Sequence, residues 1–387
     1  MLSILVLLQN IAFYKTEQYF VIRYRKSAIY LLKNEPRTWY NFFENRIGEC
    51  DRMKSLISLP RGATFETFFD KDNIALAESL GGATWNDGSR HLTGDEVAER
   101  IADCENYVTL WGSPRLDEDI LRYAPKLKLL THLGGTVVPF VSDAMWERGI
   151  KVISANEYFA ESVAEGTLAY ILCTLRDIPK YADELKNQKK WKSSSSYTAG
   201  LMGKTVGLVS YGSIAKHMVR ILSQFQVQIM VYDVKPLPPE DVEKYRLKQA
   251  SLEEIFSTCD IVSLHTPLFE ATYHLIGREL LGALKDGALF VNTSRGAVVD
   301  QRALEVELAR GRFRAVLDVY EKEPPESDSP LFDLPNVTMI PHMAGPTVDM
   351  RSYITRELLI EASGYIDKKR PLTHEITREK AATMSEK

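Results

Sequence analysis

Cysteine is scarce in this chain. Cys50, Cys104, Cys173 and Cys259 are the four present in 387 residues, and no two stand at the spacing of a zinc ribbon or a redox pair. This argues against a disulfide framework or a metal site, and isolated reduced thiols in a cytoplasmic protein are expected. An excess of charge of one sign is also missing, with 48 basic side chains against 52 acidic ones, a net of -4. No broad cationic field exists to attract nucleic acid or an anionic membrane, so the expected partner is a small molecule. Long apolar runs are lacking as well: MLSILVLL at the start is soon interrupted by Gln9, Asn10, Lys15 and Glu17, far short of the roughly 20 apolar residues that a membrane span needs. Its first basic residue, Lys15, follows the apolar run, whereas a secretory signal carries its charge ahead of it. Internal repeats and low-complexity tracts of any consequence are absent.

What remains is the composition of an ordinary globular protein, 45% hydrophobic and 26% charged. The length suits two domains, each able to bury its own core. Residues 1–52 stand apart, holding ten of the 38 aromatic side chains, among them Phe13, Tyr14, Trp39, Phe42 and Phe43. Met53 then opens MKSLISLP, which reads as an initiator followed by a buried strand. Residues 1–52 are therefore read as an N-terminal extension, either an accessory segment or an upstream start assignment, with a weak anchor as the functional alternative.

From Met53 short β-branched runs alternate with longer amphipathic stretches, the rhythm of repeated strand-helix units. Strands are predicted at 55–59, 107–111, 127–133 and 151–154, with helices over 94–104 and 117–123 between them. These units suggest a first, flavodoxin-like α/β domain. A long helix is predicted over 156–177, where no proline intervenes before Pro179, and the polar WKSSSSYTAG at 191–200 marks a boundary. Beyond it come TVGLVS, QIMVYD, IVSLHT, ALFVNTS, AVLDVY and TMIP, several apolar on both faces, as in a parallel sheet covered by helices.

TVGLVS at 205–210 runs into Tyr211, Gly212, Ser213, Ile214 and Ala215 and then into the helical pattern KHMVRILSQF. A dinucleotide fingerprint requires this strand-turn-helix setting, since the helix N-terminus offers free N–H groups to a pyrophosphate. Against G-x-G-x-x-G the three positions are Ser210, Gly212 and Ala215, so the glycine at the closest approach is kept and the first is replaced. Asp233 ends the second strand, 21 residues after Gly212 (233 - 212). A carboxylate there accepts from ribose hydroxyls and repels a 2′-phosphate, favouring NAD over NADP, a preference that nearby Lys235 moderates.

Three further segments, VNTSRGAVVD at 291–300, LDVYEKEP at 317–324 and PHMAG at 341–345, complete a set with LMGKTVGLVSYGSIA. Together they resemble the D-isomer-specific 2-hydroxyacid dehydrogenase family, in the family's order and from Met53 to about Thr377. The resemblance implies a substrate-binding domain of 53–155 plus 343–377, a Rossmann NAD-binding domain of 156–342 inserted into it, a tail of 378–387, and a homodimer. It implies NAD-dependent interconversion of a 2-oxo acid and a D-2-hydroxy acid, without specifying the acid. Arg295, with Asn292 and Gly296 in register, matches the residue that binds the substrate carboxylate and polarises its carbonyl. A guanidinium suits that task because its planar fork holds a carboxylate bidentately. His342 matches the acid/base, a role for which imidazole's ordinary pKa near neutrality is suited. Glu323, chosen over neighbouring Glu321 on register, matches the carboxylate that stabilises the imidazolium.

By the same resemblance Thr266 and Pro267, beside His265, belong to a cofactor wall, Thr293 lies in the arginine motif at the cofactor, and Asp318 contacts its nicotinamide side. Gly134, Gly135 and Thr136 occupy the substrate loop, either as an anion nest or as a plain glycine turn. Trp111 is either a further wall of the cleft or core. The rival readings are an NAD-sensing binding protein of the C-terminal-binding corepressor type, and another NAD dehydrogenase, such as a formate dehydrogenase, on the same scaffold.

Overall fold

The β-period of the sequence carries directly into the architecture. In the computed structural model, residues 53–367 and 370–385 are described in full, and ahead of them the backbone of 11–15, 19–24 and 28–33. Those three segments are strands β1 (Ile11–Lys15), β2 (Tyr19–Tyr24) and β3 (Ala28–Lys33), joined antiparallel in the order β1-β2-β3 with Phe13 opposite Ile22 and Ile22 opposite Tyr30. Met1–Arg52 forms a unit of its own, separate from Met53–Lys387. MLSILVLL, Cys50 and the aromatics Trp39, Tyr40, Phe42 and Phe43 lie outside the described residues.

Beyond Met53 two parallel sheets form. The first contains β4 (Ser55–Ile57), β5 (Ala83–Trp85), β6 (Asn106–Thr109), β7 (Leu129–His132) and β8 (Lys151–Ser154) in the order β5-β4-β6-β7-β8, the flavodoxin-like arrangement. Its helices begin where capping chemistry places them. Thr93 and Glu96 close a capping box ahead of the helix Gly94–Arg100, and Asp117 accepts from the Ile120 N–H. The short edge strand β5, with no apolar alternation, was not foreseen.

The second sheet holds β9 (Thr205–Val209), β10 (Gln228–Tyr232), β11 (Lys248–Gln249), β12 (Ile261–Leu264), β13 (Leu289–Asn292), β14 (Arg314–Leu317) and β15 (Val337–Met339). Its order is β11-β10-β9-β12-β13-β14-β15, with every pairing parallel, as in a Rossmann fold. Side chains alternate between two apolar layers: Phe290 and Leu317 join Phe256 and Leu304 on one face, while Leu289, Val291 and Val316 meet Ala164 and Ile171 on the other. The latter pair comes from the helix Asn156–Leu175, which follows β8 and lies on the second sheet. The helix Val348–Ile366 returns the chain to the first sheet, burying Ile354, Leu358, Leu359 and Ala362 beside Ile57 and Leu129.

Among the described residues no helix is long and apolar enough to cross a membrane. Cys104, Cys173 and Cys259 are unpaired.

Candidate active site

In a parallel sheet, the loops after the strands share one edge, and here the expected site residues follow β9, β10, β12, β13, β14 and β15 in turn. Such carboxyl-end loops form the usual ligand crevice of a doubly wound sheet. The glycine turn follows β9, next to the switch point between β9 and β12. Gly212 precedes the helix Ser213–Leu222 without a capping side-chain hydrogen bond, and nothing lies within 4 Å of where its Cβ would be. Open approach and uncapped N–H groups both fit a dinucleotide phosphate.

Ser210, where the fingerprint has glycine, adopts φ 77, the left-handed region that favours glycine. Its hydroxyl meets that of Thr266 at 2.9 Å, and its N–H donates to the Tyr232 carbonyl at 2.7 Å. The substitution therefore keeps the turn and adds a tie to the loop after β12. Asp233 accepts the Tyr211 N–H at 2.7 Å and the Lys235 N–H at 2.9 Å, which sets its carboxylate at the mouth of the same turn. Thr293 is buried, its hydroxyl 2.9 Å from that of Thr167. His265 is buried with Nε2 at 3.1 Å from the Ser263 hydroxyl, and desolvation pushes its pKa down to about 3.

Arg295, Glu323 and His342 come from loops after three adjacent strands. His342 Nδ1 lies 2.8 Å from Glu323 Oε2, while Glu323 Oε1 accepts the Tyr320 N–H at 3.1 Å. Glu321 is directed elsewhere, its Oε1 3.1 Å from His274 Nε2. The geometry thus separates two carboxylates that register alone distinguished. Arg295 donates from Nη1 to the Ser294 carbonyl at 2.7 Å, and Asn292 ties the same turn by donating to the Arg295 carbonyl at 3.1 Å. Burial lowers the pKa of Arg295, and the charge of Glu323 opposes that shift.

Gly296 accounts for the closeness of these loops. A Cβ there would stand 1.9 Å from the Tyr320 carbonyl carbon, so only glycine lets the arginine loop lie against the backbone leading to Glu323. Gly166, in the helix Asn156–Leu175, plays the same part beneath the histidine loop, where a Cβ would be 2.4 Å from the Ala344 carbonyl oxygen.

Asp318 is 1% exposed, and its two carboxylate oxygens accept the Met343 N–H at 2.7 Å and the Ala344 N–H at 3.0 Å. Burial raises its pKa, against the lowering by those two N–H donors. The residue expected at the nicotinamide side thus clamps the turn in which His342 sits at φ 53. Asp318→Asn should cost about 2 kcal/mol of stability, because an amide meets two N–H donors with one oxygen and one NH2. A urea midpoint unchanged from that of the native chain would contradict the clamp.

In the first sheet, Gly134, Gly135 and Thr136 follow β7. None has a positive φ, so the αR-αL anion nest is not formed. Glycine at 134 answers a steric demand instead: its Cβ would lie 2.4 Å from Nε2 of buried His132. Desolvation pushes the pKa of His132 down to about 3, and its Nδ1 is 3.0 Å from the Thr109 hydroxyl. Thr136 donates its hydroxyl to the Ser385 carbonyl at 2.6 Å. Trp111 is 46% exposed, which rules out the core reading. Its ring meets those of Phe68 and Phe159 at 6.1 and 6.3 Å, and Phe159 lies beside Gly135.

Two contributors carry no sequence signal. Glu157 accepts from the Ser213 hydroxyl at 2.8 Å and from Lys380 Nζ at 3.2 Å. Burial works to raise its pKa, yet these partners hold it below the ordinary carboxylate range. Ser385 donates no motif either, and reaches the site only through the fold.

Comparison with known proteins places the fold in a family. A family model described as the NAD binding domain of D-isomer specific 2-hydroxyacid dehydrogenase matches residues 168–344. The chain is 34% identical over 279 residues to a D-3-phosphoglycerate dehydrogenase of Methanocaldococcus jannaschii, covering 72% of this chain and 52% of that protein. It thus spans about half of that relative's length. A hydroxypyruvate reductase of Thermotoga maritima is 32% identical over 274 residues, covering 70% of this chain and 88% of the relative. In fold, the chain is similar to an acyclic imino acid reductase solved with NADPH and D-Arg, with a TM-score of 0.68 over 84% of this chain and all of that one, at 22% identity. With its Rossmann sheet, its flavodoxin-like sheet and these relatives, the chain belongs to the D-isomer-specific 2-hydroxyacid dehydrogenase family of NAD-dependent oxidoreductases.

Proposed function

We propose that this protein interconverts a 2-oxo acid and a D-2-hydroxy acid, with Arg295, Glu323 and His342 as its catalytic residues. The observation that carries the reading is the His342–Glu323 contact at 2.8 Å beside the loop of Arg295, which Gly296 holds against the Tyr320 backbone. The proposed division assigns 53–155 and 343–377 to substrate and 156–342 to cofactor, with Gly212, Ser213, Ile214, Asp233, Thr266 and Pro267 around NAD.

When bound, the nicotinamide supplies the hydride. Arg295 binds the substrate carboxylate and polarises the neighbouring carbonyl, so that charge developing on its oxygen meets a fixed cation. Glu323 engages Nδ1 of His342, which leaves Nε2 as the nitrogen that gives its proton to the forming alkoxide and takes it back in the reverse direction. The loop Gly134–Thr136 borders the substrate from the first sheet, and Trp111 walls the substrate side. A homodimer is proposed on the strength of exposed Ile178 and Leu185 on one helix and Trp191, Tyr197 and Met202 after it.

NAD is favoured over NADP because the Asp233 carboxylate, held at the glycine turn, repels a 2′-phosphate. The test is loss of NADH in the presence of glyoxylate, hydroxypyruvate, pyruvate and bulkier 2-oxo acids, with NADPH in parallel. Reduction of at least one acid to its D-product is expected, with NADH preferred roughly tenfold or more, equivalent to about 1.4 kcal/mol. If every acid in the panel left NADH untouched, the catalytic reading would give way to the NAD-sensing one.

A further inference from the structure

The chain after Thr377 is more than a tail. Ile376 donates its N–H to the Val152 carbonyl at 2.9 Å, and Glu375 bridges Ile153 antiparallel, which fastens the segment to the edge of the first sheet. Thr377 then caps the short helix Arg378–Ala381, Arg378 pairs with Asp143, and Ala381 and Met384 pack into the core beside Ile376 and Leu130. A firmly anchored segment thus delivers Ser385, which is 6% exposed.

Ser385 touches both sheets. Its carbonyl accepts the Thr136 hydroxyl at 2.6 Å, in the loop after β7, and its own hydroxyl accepts the Leu268 N–H at 2.9 Å, in the loop after β12. Leu268 directly follows Thr266 and Pro267, and the Thr266 hydroxyl is 2.9 Å from that of Ser210. Lys380 supplies a second tie to the same place through Glu157, which accepts from Ser213. Two hydrogen-bonded routes therefore run from the terminal segment to residues 210–213, one through each end of the glycine turn.

We infer that Ser385 is a positioning residue that locks the substrate loop Gly134–Thr136 to the cofactor segment Thr266–Leu268 and so holds the two loops in one arrangement. This rests on the proposed assignment of those two loops. Any parting of the sheets must break the Leu268 bond, because the rest of the segment is fixed to the first sheet. A substrate that binds the tied arrangement is held less tightly when that arrangement is less populated.

The experiment uses the full chain with Ser385→Ala, which removes the hydroxyl and keeps the carbonyl, and Ser385→Thr, which keeps both. Alanine should raise KM for the preferred 2-oxo acid roughly three- to tenfold, with kcat and NADH affinity within about twofold and an unfolding midpoint within about 2 °C of native. Threonine should return KM to near the native value. Hydrogen exchange at the Leu268 amide should quicken in the alanine variant alone. A native KM in Ser385→Ala, a rise that threonine fails to rescue, or unaltered exchange at Leu268 would each overturn the inference. If the native chain reduces no 2-oxo acid, the catalytic reading fails by itself, and the Leu268 exchange still decides the tie.

Discussion

Replacing His342 by alanine is expected to lower kcat for 2-oxo acid reduction about a thousandfold while leaving NADH binding within roughly threefold of native. The size follows from the removal of the proposed general acid, a loss usually in the range of about a hundred- to ten-thousandfold. The selectivity follows from the sheet. His342 follows β15, four strands from β9 and its glycine turn, a separation of roughly 19 Å at the usual strand spacing. His342 and Glu323 are 50% and 39% exposed, so losing their contact should change folding stability by less than about 1 kcal/mol. Steady-state kinetics with fluorescence titration of NADH reads both effects. Undiminished turnover would remove His342 from its role, and a matching fall in NADH affinity would assign it to cofactor binding.

Arg295→Lys is expected to reduce kcat/KM about a hundred- to thousandfold, even though the charge is kept. A lysine ammonium is a single point of charge on a flexible stem, whereas the guanidinium has a planar fork that grips a carboxylate with two parallel hydrogen bonds. Arg295 also spends Nη1 on the Ser294 carbonyl at 2.7 Å, which fixes the rest of the fork. Lysine cannot hold the loop and the substrate together. The loss should appear mostly in kcat/KM, because the cation is needed both for binding and for the charge that develops on the carbonyl oxygen. A variant within about threefold of native would show that a positive charge alone suffices at this position.

The same residues illustrate how far letters alone could go. Strands β8 and β9 were legible because β-branched runs between turn residues declare themselves within a few positions, whereas the caps that Thr93 and Asp117 supply to their helices emerged only with the structure. The motifs around Gly212, Arg295 and His342 were legible for a related reason, since each is a short turn whose chemistry sits in consecutive residues. Ser210 was visible as a departure. That it keeps the left-handed turn and engages Thr266 required the loop after β12 to be in place. Asp318 was read as a cofactor contact, because its use as a clamp depends on N–H groups 25 and 26 residues away.

By itself, then, the sequence determined the two families of strands and the parallel character of the second sheet, and it marked the glycine turn and the loops that carry Arg295 and His342, each of which is written in short runs of consecutive residues. Only the tertiary structure decided that Glu323 meets His342 while Glu321 turns to His274, why Gly296 admits no side chain, and that Ser385 meets Thr136 across 249 residues of chain. Those outcomes depend on where the sheets bring distant backbones within a few ångströms, and no local pattern of side chains carries that distance.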